Sequence, residues 1–156
     1  MAKLKQILVL TDFSDTAGLA LQYAHSLSRQ FDAGLHLLHV IPDPTTAMGI
    51  YEQIADVIPP DWQNKMLQHS NEQLLQTAVR ECGRADNVIR ITAQGDTYGE
   101  IVRYVKNNAI DLIVIGTHGK TGSVHQLIGG LADRIFRKAP CPVLTVPPAN
   151  RQFQLP

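Results

Sequence analysis

The sequence predicts a doubly wound α/β domain, with a five-stranded, mostly parallel sheet between two layers of helices. Short and almost wholly apolar runs alternate with longer segments of helical period, which is the pattern of repeated βαβ units. Right-handed crossovers then place the helices on both faces of one sheet. The chain of 156 residues has the usual length of one domain. We expect residues 1–150 to form this domain and residues 151–156 to form a short C-terminal tail.

An apolar run followed by a helical period predicts the first strand and the first helix. Residues 6–11 are nearly all apolar, as in a strand that is covered on both faces. Ser14 or Asp15 then provides a helix N-cap, and apolar residues recur at helical spacing as far as Phe31. We expect Gly34 to end this helix.

The second strand is predicted at residues 35–41, before Pro42, because proline cannot donate to a sheet ladder. Residues 43–60 contain several prolines and no clean period, which indicates a long irregular connection with at most one helical turn at residues 47–54. From Asp61 an apolar helix face continues as far as Cys82, which predicts a helix of about six turns.

The remaining elements alternate in the same way. We expect a third strand near a sheet edge, a helix, a very apolar strand, a short helix that ends before a proline, and a last strand. Their predicted ranges are 87–93, 98–109, 111–116, 131–139 and 141–147.

Charge and hydropathy exclude two classes of partner. Lys+Arg and Asp+Glu both total 14, so the net charge of +0 gives no general attraction to nucleic acid or anionic lipid. No apolar stretch approaches the roughly 20 residues of a membrane span, and the start of the chain lacks a signal-peptide cleavage site. We therefore expect a cytoplasmic protein that binds neither nucleic acid nor a membrane.

No metal centre built from protein side chains is predicted. Cys82 and Cys141 lie far apart in the sequence without CxxC spacing, which is typical of buried thiols. His36 and His39 are three positions apart on a predicted strand, so their side chains lie on opposite faces. The carboxylate of Asp12 is the one candidate, as a ligand of a divalent ion that also contacts phosphate.

A glycine cluster follows the fourth strand. Five of the 11 glycines lie between Gly116 and Gly130. A strand that ends in glycine and leads into a helix exposes main-chain N–H groups and the positive end of the helix dipole, which together suit a phosphate. A P-loop is excluded, because its spacing needs glycine where Val114 stands, and no GxGxxG follows the first strand. A tight loop without any ligand is the alternative.

The spacing Gly116-x2-Gly119-x9-Gly129 resembles the nucleotide-binding signature of the universal stress protein family. The blocks ILVLTDFSD, LHVIPD, GDTYGEIVRYVKNNAIDLIVIGTHG and RKAPCPVLTVP also resemble that family, so the resemblance covers nearly the whole chain. It implies a three-layer, adenine nucleotide alpha hydrolase-like fold with strand order 3-2-1-4-5.

The resemblance implies an adenine nucleotide ligand, AMP, ADP or ATP, with Mg²⁺ accompanying ATP. It places Thr11 and Asp12 beside the adenosine and the main chain of Val40 against adenine. The glycines would shape the phosphate loop, to which His118 and Lys120 belong. The expected nucleotide-binding residues are Thr11, Asp12, Val40, Ile115, Gly116, His118, Gly119, Lys120, Gly129, Gly130 and Leu131.

The chain departs from the family pattern at the end of the glycine signature. Gly130 and Ala132 stand where ATP-binding members carry hydroxyl residues. The N–H groups of Gly130 and Leu131 are still able to donate, and each lost neutral hydrogen bond is worth only about 0.5–1.5 kcal/mol. We therefore expect weakened binding rather than none, with ATP less favoured than AMP or ADP.

The sequence thus predicts a regulatory module or stress-response sensor that binds an adenine nucleotide. A slow ATP hydrolase is one alternative, although no general base or arginine finger for phosphoryl transfer is identifiable. An interaction module of the same fold without nucleotide is another, and the glycine spacing disfavours it. We also expect a homodimer through the final edge strand, from Val143 to Pro147. The downstream protein partner is not predicted.

Overall fold

Strands and helices alternate along the chain in the predicted order. The computed structural model describes residues 3–43, 57–119 and 130–149. The strands are β1 (Gln6–Leu10), β2 (Gly34–Pro42), β3 (Val88–Gly95), β4 (Leu112–Gly116) and β5 (Val143–Val146). The helices are α1 (Asp15–Phe31), α2 (Trp62–Cys82), α3 (Thr97–Asn107) and α4 (Gly130–Lys138). The helical turn predicted at residues 47–54 and the predicted tail lie outside the described residues.

The five strands form one parallel sheet in the order β3-β2-β1-β4-β5, which confirms the predicted fold class and strand order. From the central strand β1 the chain first adds strands on one side and then crosses to add β4 and β5 on the other. The direction of winding therefore reverses between β1 and β4. In sheets of this kind, ligands collect in the crevice at the carboxyl ends of the strands at this reversal.

Two apolar cores cover the two faces of the sheet. On one face, strand residues such as Ile7 and Leu37 pack with Leu21 of α1 and Leu74 of α2. On the other face, the alternate strand residues pack with residues of α3 and α4. The largest wholly buried members of this second core are Leu8, Leu38, Ile101, Ile113 and Ile135. This alternation, with period two along each strand, produces the predicted three layers.

The histidines of β2 lie on opposite faces of the sheet, as predicted. His36 is buried in the second core, where its Nε2–H donates to Gln6 Oε1 at 2.8 Å. The Tyr104 hydroxyl donates to His36 Nδ1 at 2.7 Å, and burial lowers the pKa of His36. His39, on the opposite face, contacts the ring of Phe13. Within the described ranges, no group of three His, Cys, Asp or Glu side chains is arranged to hold a metal ion.

Several predicted element ends differ from the structure by one or two residues, and two of the differences have a clear physical reason. The first helix ends at Phe31, and Asp32 rather than Gly34 adopts the left-handed cap conformation, with φ 53°. Strand β2 continues through Pro42, which pairs with Gly95 of β3. Alternate residues of a parallel strand direct their main-chain N–H and C=O groups to opposite neighbouring strands. The main-chain nitrogen of Pro42 is directed to the side of β1, and β1 has already ended at this level. Its missing N–H therefore costs no ladder hydrogen bond.

Helix ends and cysteines otherwise follow the expected chemistry. Ser14 caps α1 by accepting the Ala17 N–H at 3.2 Å, and Gly83 ends α2 with φ 75°, which favours glycine. Cys82 is buried, Cys141 is partly buried, and both are free thiols. In the part of the chain that the structure describes, no helix has the length and apolarity needed to cross a membrane.

Candidate functional site

A cleft of about 490 Å³ opens at the carboxyl ends of β1, β2 and β4, where the winding reverses. This volume lies within the range of small-molecule pockets. The first turns of α1, α3 and α4 complete its described walls. The cleft thus lies at the ligand-binding position that the topology predicts.

Nine of the residues proposed from the sequence line this one cleft, although they come from four separate parts of the chain. They are Thr11, Asp12, Val40, Ile115, Gly116, His118, Gly119, Gly130 and Leu131. Lys120 and Gly129 lie outside the described residues. That the nine contact a nucleotide stays a prediction.

The turn between β1 and α1 presents Asp12 to the cleft. The Thr11 N–H extends the β1 ladder by donating to Leu38 O at 3.0 Å, and Thr11 Oγ1 accepts the Phe13 N–H at 3.0 Å. The Asp12 carboxylate accepts the Ser14 N–H at 3.0 Å through Oδ1. Side chains therefore satisfy the main chain of this turn, and they fix the position of the Asp12 carboxylate.

A strained residue lies next to Asp12. Phe13 has φ 65°, in the left-handed region that bulky residues rarely adopt. Its ring centroid lies 4.5 Å from that of His39, and the planes are tilted by 43°. His39 Nδ1–H donates to Thr11 O at 2.8 Å. His39 thus supports the turn both through its ring and through this hydrogen bond. The sequence indicates this histidine only as a candidate metal ligand and carries no signal for its contact with the β1–α1 turn.

An apolar slot forms one part of the cleft. Its walls include Leu38 and Val40 of β2, Ile115 of β4 and Ile101 of α3, all of them buried. The side chains of Leu38 and Ile101 also belong to the second core. Such a slot suits a flat, largely apolar ring system.

The main chain of Val40 faces this slot. Leu38 pairs with Leu10, and its carbonyl accepts the Thr11 N–H, so the peptide groups of Leu38 are directed toward β1. Val40, two residues further along β2, directs its N–H and C=O to the same side, past the end of the β1 strand. A ring system in the slot would therefore meet one main-chain donor and one main-chain acceptor.

The three described glycines of the cluster, Gly116, Gly119 and Gly130, differ in their surroundings. A Cβ atom on Gly116 would lie 2.8 Å from Thr16 Cγ2 and 3.2 Å from the main-chain carbon of Thr16, so close packing of β4 on α1 requires glycine there. A Cβ atom on Gly119 would collide with Asp12 Oδ2. At Gly130 a Cβ atom would meet nothing within 4 Å. Of these three described glycines, Gly119 alone brings the main chain close to a polar group of the cleft.

The polar side of the cleft combines this glycine turn with the first turn of α4. Gly130 and Leu131 belong to that turn, whose N–H groups have no acceptor within the helix and lie at its positive end. The buried Thr117 hydroxyl lies 2.8 Å from His118 Nδ1, so the two side chains are hydrogen-bonded. The cleft therefore has an apolar end for a ring and a donor-rich end for an anion.

Comparisons with known proteins agree on one family. The family model for the universal stress protein family matches residues 3–147. Universal stress protein MJ0531 of Methanocaldococcus jannaschii is 30% identical over 146 residues, which cover 91% of this chain and 81% of the relative. The solved structure of protein MJ0577 from the same organism is similar, with a TM-score of 0.77 and 27% identity, over 96% of this chain and 100% of that one.

Two other similar structures contain adenine nucleotides. One is a universal stress protein in complex with cAMP, with a TM-score of 0.67 and 20% identity over 93% of this chain and 98% of that one. The other is the universal stress protein from Archaeoglobus fulgidus in complex with dAMP, with a TM-score of 0.65 and 17% identity over 93% and 99%. At these identities the two structures show that the fold is shared.

Proposed function

Because the chain belongs to the universal stress protein family, we propose that its cleft binds an adenine nucleotide and that the protein acts as a stress-response sensor or regulatory module. The observation that carries the proposal is the convergence of the nine sequence-predicted residues on a single cleft with an apolar end and a donor-rich end. A nucleotide has the same two-part character, with a flat base and an anionic phosphate. The cAMP and dAMP complexes of two relatives with this fold support the choice of adenine.

In this proposal the base occupies the slot between Val40 and Ile115. The N–H and C=O of Val40 pair with the edge of adenine, while Thr11 and Asp12 lie beside the ribose. A carboxylate at Asp12 is suited to accept a hydrogen bond from a ribose hydroxyl. The base end thus uses shape and main-chain hydrogen bonds, and the sugar end uses one side chain that the β1–α1 turn holds in place.

The phosphate would lie against Gly119 and the first turn of α4. The donors there are main-chain N–H groups, including those of Gly130 and Leu131, with His118 nearby. Asp12 would hold the Mg²⁺ that accompanies ATP, since carboxylate and phosphate oxygens are the ligands that Mg²⁺ prefers. Without hydroxyl side chains at positions 130 and 132, ATP should be less favoured than AMP or ADP, because its third phosphate finds fewer donors.

The proposal is tested first on protein purified from cells. The protein is denatured and the released small molecules are identified by mass spectrometry, where a copurifying adenylate is expected. Isothermal titration of the refolded or ligand-free protein with AMP, ADP and ATP then gives the affinities, with GMP as the control for the base. Absence of heat with all three adenine nucleotides at millimolar concentration would overturn the proposal.

We further propose that the protein works in the cytoplasm as a homodimer joined through β5. This strand is the last of the sheet on its side, and edge strands offer unpaired main-chain groups to another chain. Leu144 of β5 is exposed. We expect Leu144→Lys to give a monomer by light scattering, while Ile89→Lys at the opposite edge, on an exposed residue of β3, leaves a dimer. Loss of the dimer in both variants, or in neither, would contradict this interface.

A further inference from the structure

A second groove adjoins the cleft between α3 and α4. Its volume is about 370 Å³. It shares Pro42, Thr97, Gly130 and Leu131 with the cleft, so the two hollows are direct neighbours. The groove alone is large enough for a small-molecule fragment. A ligand that extends past Gly130 and Leu131 from the cleft would therefore come to this groove.

Arg134 supplies a positive charge in the wall of the groove. Its guanidinium carbon lies 4.1 Å from the centroid of the Tyr98 ring, in a cation–π contact. The Tyr98 hydroxyl donates to the Lys138 carbonyl at 3.3 Å, which fixes the ring between α3 and α4. A guanidinium has five N–H donors, so its contact with one aromatic ring leaves donors for an anion.

The other arginines nearby differ from Arg134 in having carboxylate partners. Arg137 donates to Asp133 at 2.9 Å on the outer surface of α4, and Arg103 of α3 pairs with Glu100. Among the residues described here, Arg134 makes no ion pair with a carboxylate. Its charge is thus held in position without being neutralised.

Two further features of the groove favour an anion. Arg134 lies one turn after Gly130, and helical side chains lean toward the N-terminus of their helix, so the guanidinium and the first turn of α4 line the same groove. The acidic wall residue, Asp96, caps α3 and accepts the Gly99 N–H at 2.7 Å. The positive end of α3 therefore offsets this carboxylate.

We propose that the groove binds a second phosphoryl group of the nucleotide held in the cleft, with Arg134 as its ligand. The inference rests on the proposed nucleotide binding and specifies the ligand class of the site. The second phosphoryl group has two chemical sources. It either extends the chain from the first phosphate, as in ADP, or is attached to the ribose, as in adenosine 3′,5′-bisphosphate.

The experiment measures the affinities of AMP, ADP and adenosine 3′,5′-bisphosphate by isothermal titration at constant ionic strength. The wild-type protein should bind ADP or the bisphosphate about tenfold more tightly than AMP, as expected for one hydrogen bond between charged groups. The ligand that binds more tightly than AMP shows whether the second phosphoryl group is attached to the first phosphate or to the ribose. Arg134→Gln should abolish the gain and keep the AMP affinity within about twofold, because AMP lacks the second group.

Arg137→Gln is the matched control, since it removes the same charge one turn along α4 and should preserve the gain. Thermal denaturation by circular dichroism checks that both variants fold, and both replaced side chains are exposed. The inference is overturned if neither ligand binds more tightly than AMP. It is also overturned if Arg134→Gln weakens the binding of AMP as much as that of ADP and the bisphosphate. Equal loss of the affinity gain in Arg134→Gln and Arg137→Gln would overturn it as well.

The same titrations separate this inference from the proposed function. If AMP binds normally but a second phosphoryl group adds nothing, the groove inference fails and the nucleotide site stands. If none of the three nucleotides binds, both proposals fail.

Discussion

Gly130→Ser restores a hydroxyl at the position where ATP-binding members of the family carry one. A Cβ atom at this position meets nothing within 4 Å, and the glycine does not have a positive φ, so serine fits without strain. Its hydroxyl would lie at the start of α4, within the donor-rich end of the cleft. One hydrogen bond to a charged phosphate contributes about 1.5 kcal/mol, which predicts roughly tenfold tighter binding of AMP or ATP.

The matched control is Gly130→Ala, because both substitutions remove a glycine from a helix. Each variant should gain about 0.4–1 kcal/mol in the free energy of unfolding, since the unfolded chain loses conformational entropy. Only the serine variant should also gain affinity, measured by isothermal titration at one ionic strength. Equal affinities in the two variants, or weaker binding by the serine variant, would refute the reasoning that phosphate lies against the first turn of α4.

Two other predictions concern packing and pH. Gly116→Ala places a methyl group against the side chain and main chain of Thr16. Urea denaturation should therefore show a loss of about 1–3 kcal/mol in the free energy of unfolding. A loss near zero would contradict the close packing of β4 on α1. Burial lowers the pKa of His36 below 6.5, so the unfolded chain binds more protons than the folded one at mildly acid pH. The stabilisation that comes from keeping His36 neutral should be complete above pH 6.5 and should be lost as the pH falls through and below that value. In His36→Gln, the free energy of unfolding should depend less steeply on pH. The same slope in both proteins would assign the pH dependence to other groups.

Most of the fold was predictable because its signals are local. The apolar run of β1 and the capping chemistry of Ser14 each specify their element without reference to the rest of the chain. The inclusion of Pro42 in β2 was not predictable in this way, since it depends on where the neighbouring strand β1 ends. The strand order was implied by the family resemblance, because local patterns do not state which strands are neighbours.

The candidate site was predictable to the extent that it uses glycines and strand ends. The glycine spacing identified a loop that the structure places on the cleft at Gly116 and Gly119. The reason for Gly116 was not readable from the sequence, because its contact is with Thr16, a hundred positions away. The support of the β1–α1 turn by His39 is likewise a tertiary contact, and a histidine in a strand has no sequence pattern that indicates it.

The proposed site should select its base through the direction of the Val40 main chain. A main-chain N–H and C=O that face a base along one edge offer a donor and an acceptor. Adenine presents the complementary pair on its Watson–Crick edge, an unprotonated ring nitrogen that accepts and an amino group that donates. Guanine presents a carbonyl oxygen and a protonated ring nitrogen in the same places, so it would set acceptor against acceptor and donor against donor. Since an unpaired buried polar group costs about 1–3 kcal/mol, the proposed site should prefer AMP to GMP by about tenfold or more. No side-chain substitution at Val40 that keeps the strand intact should reverse that preference, because the discriminating groups belong to the main chain.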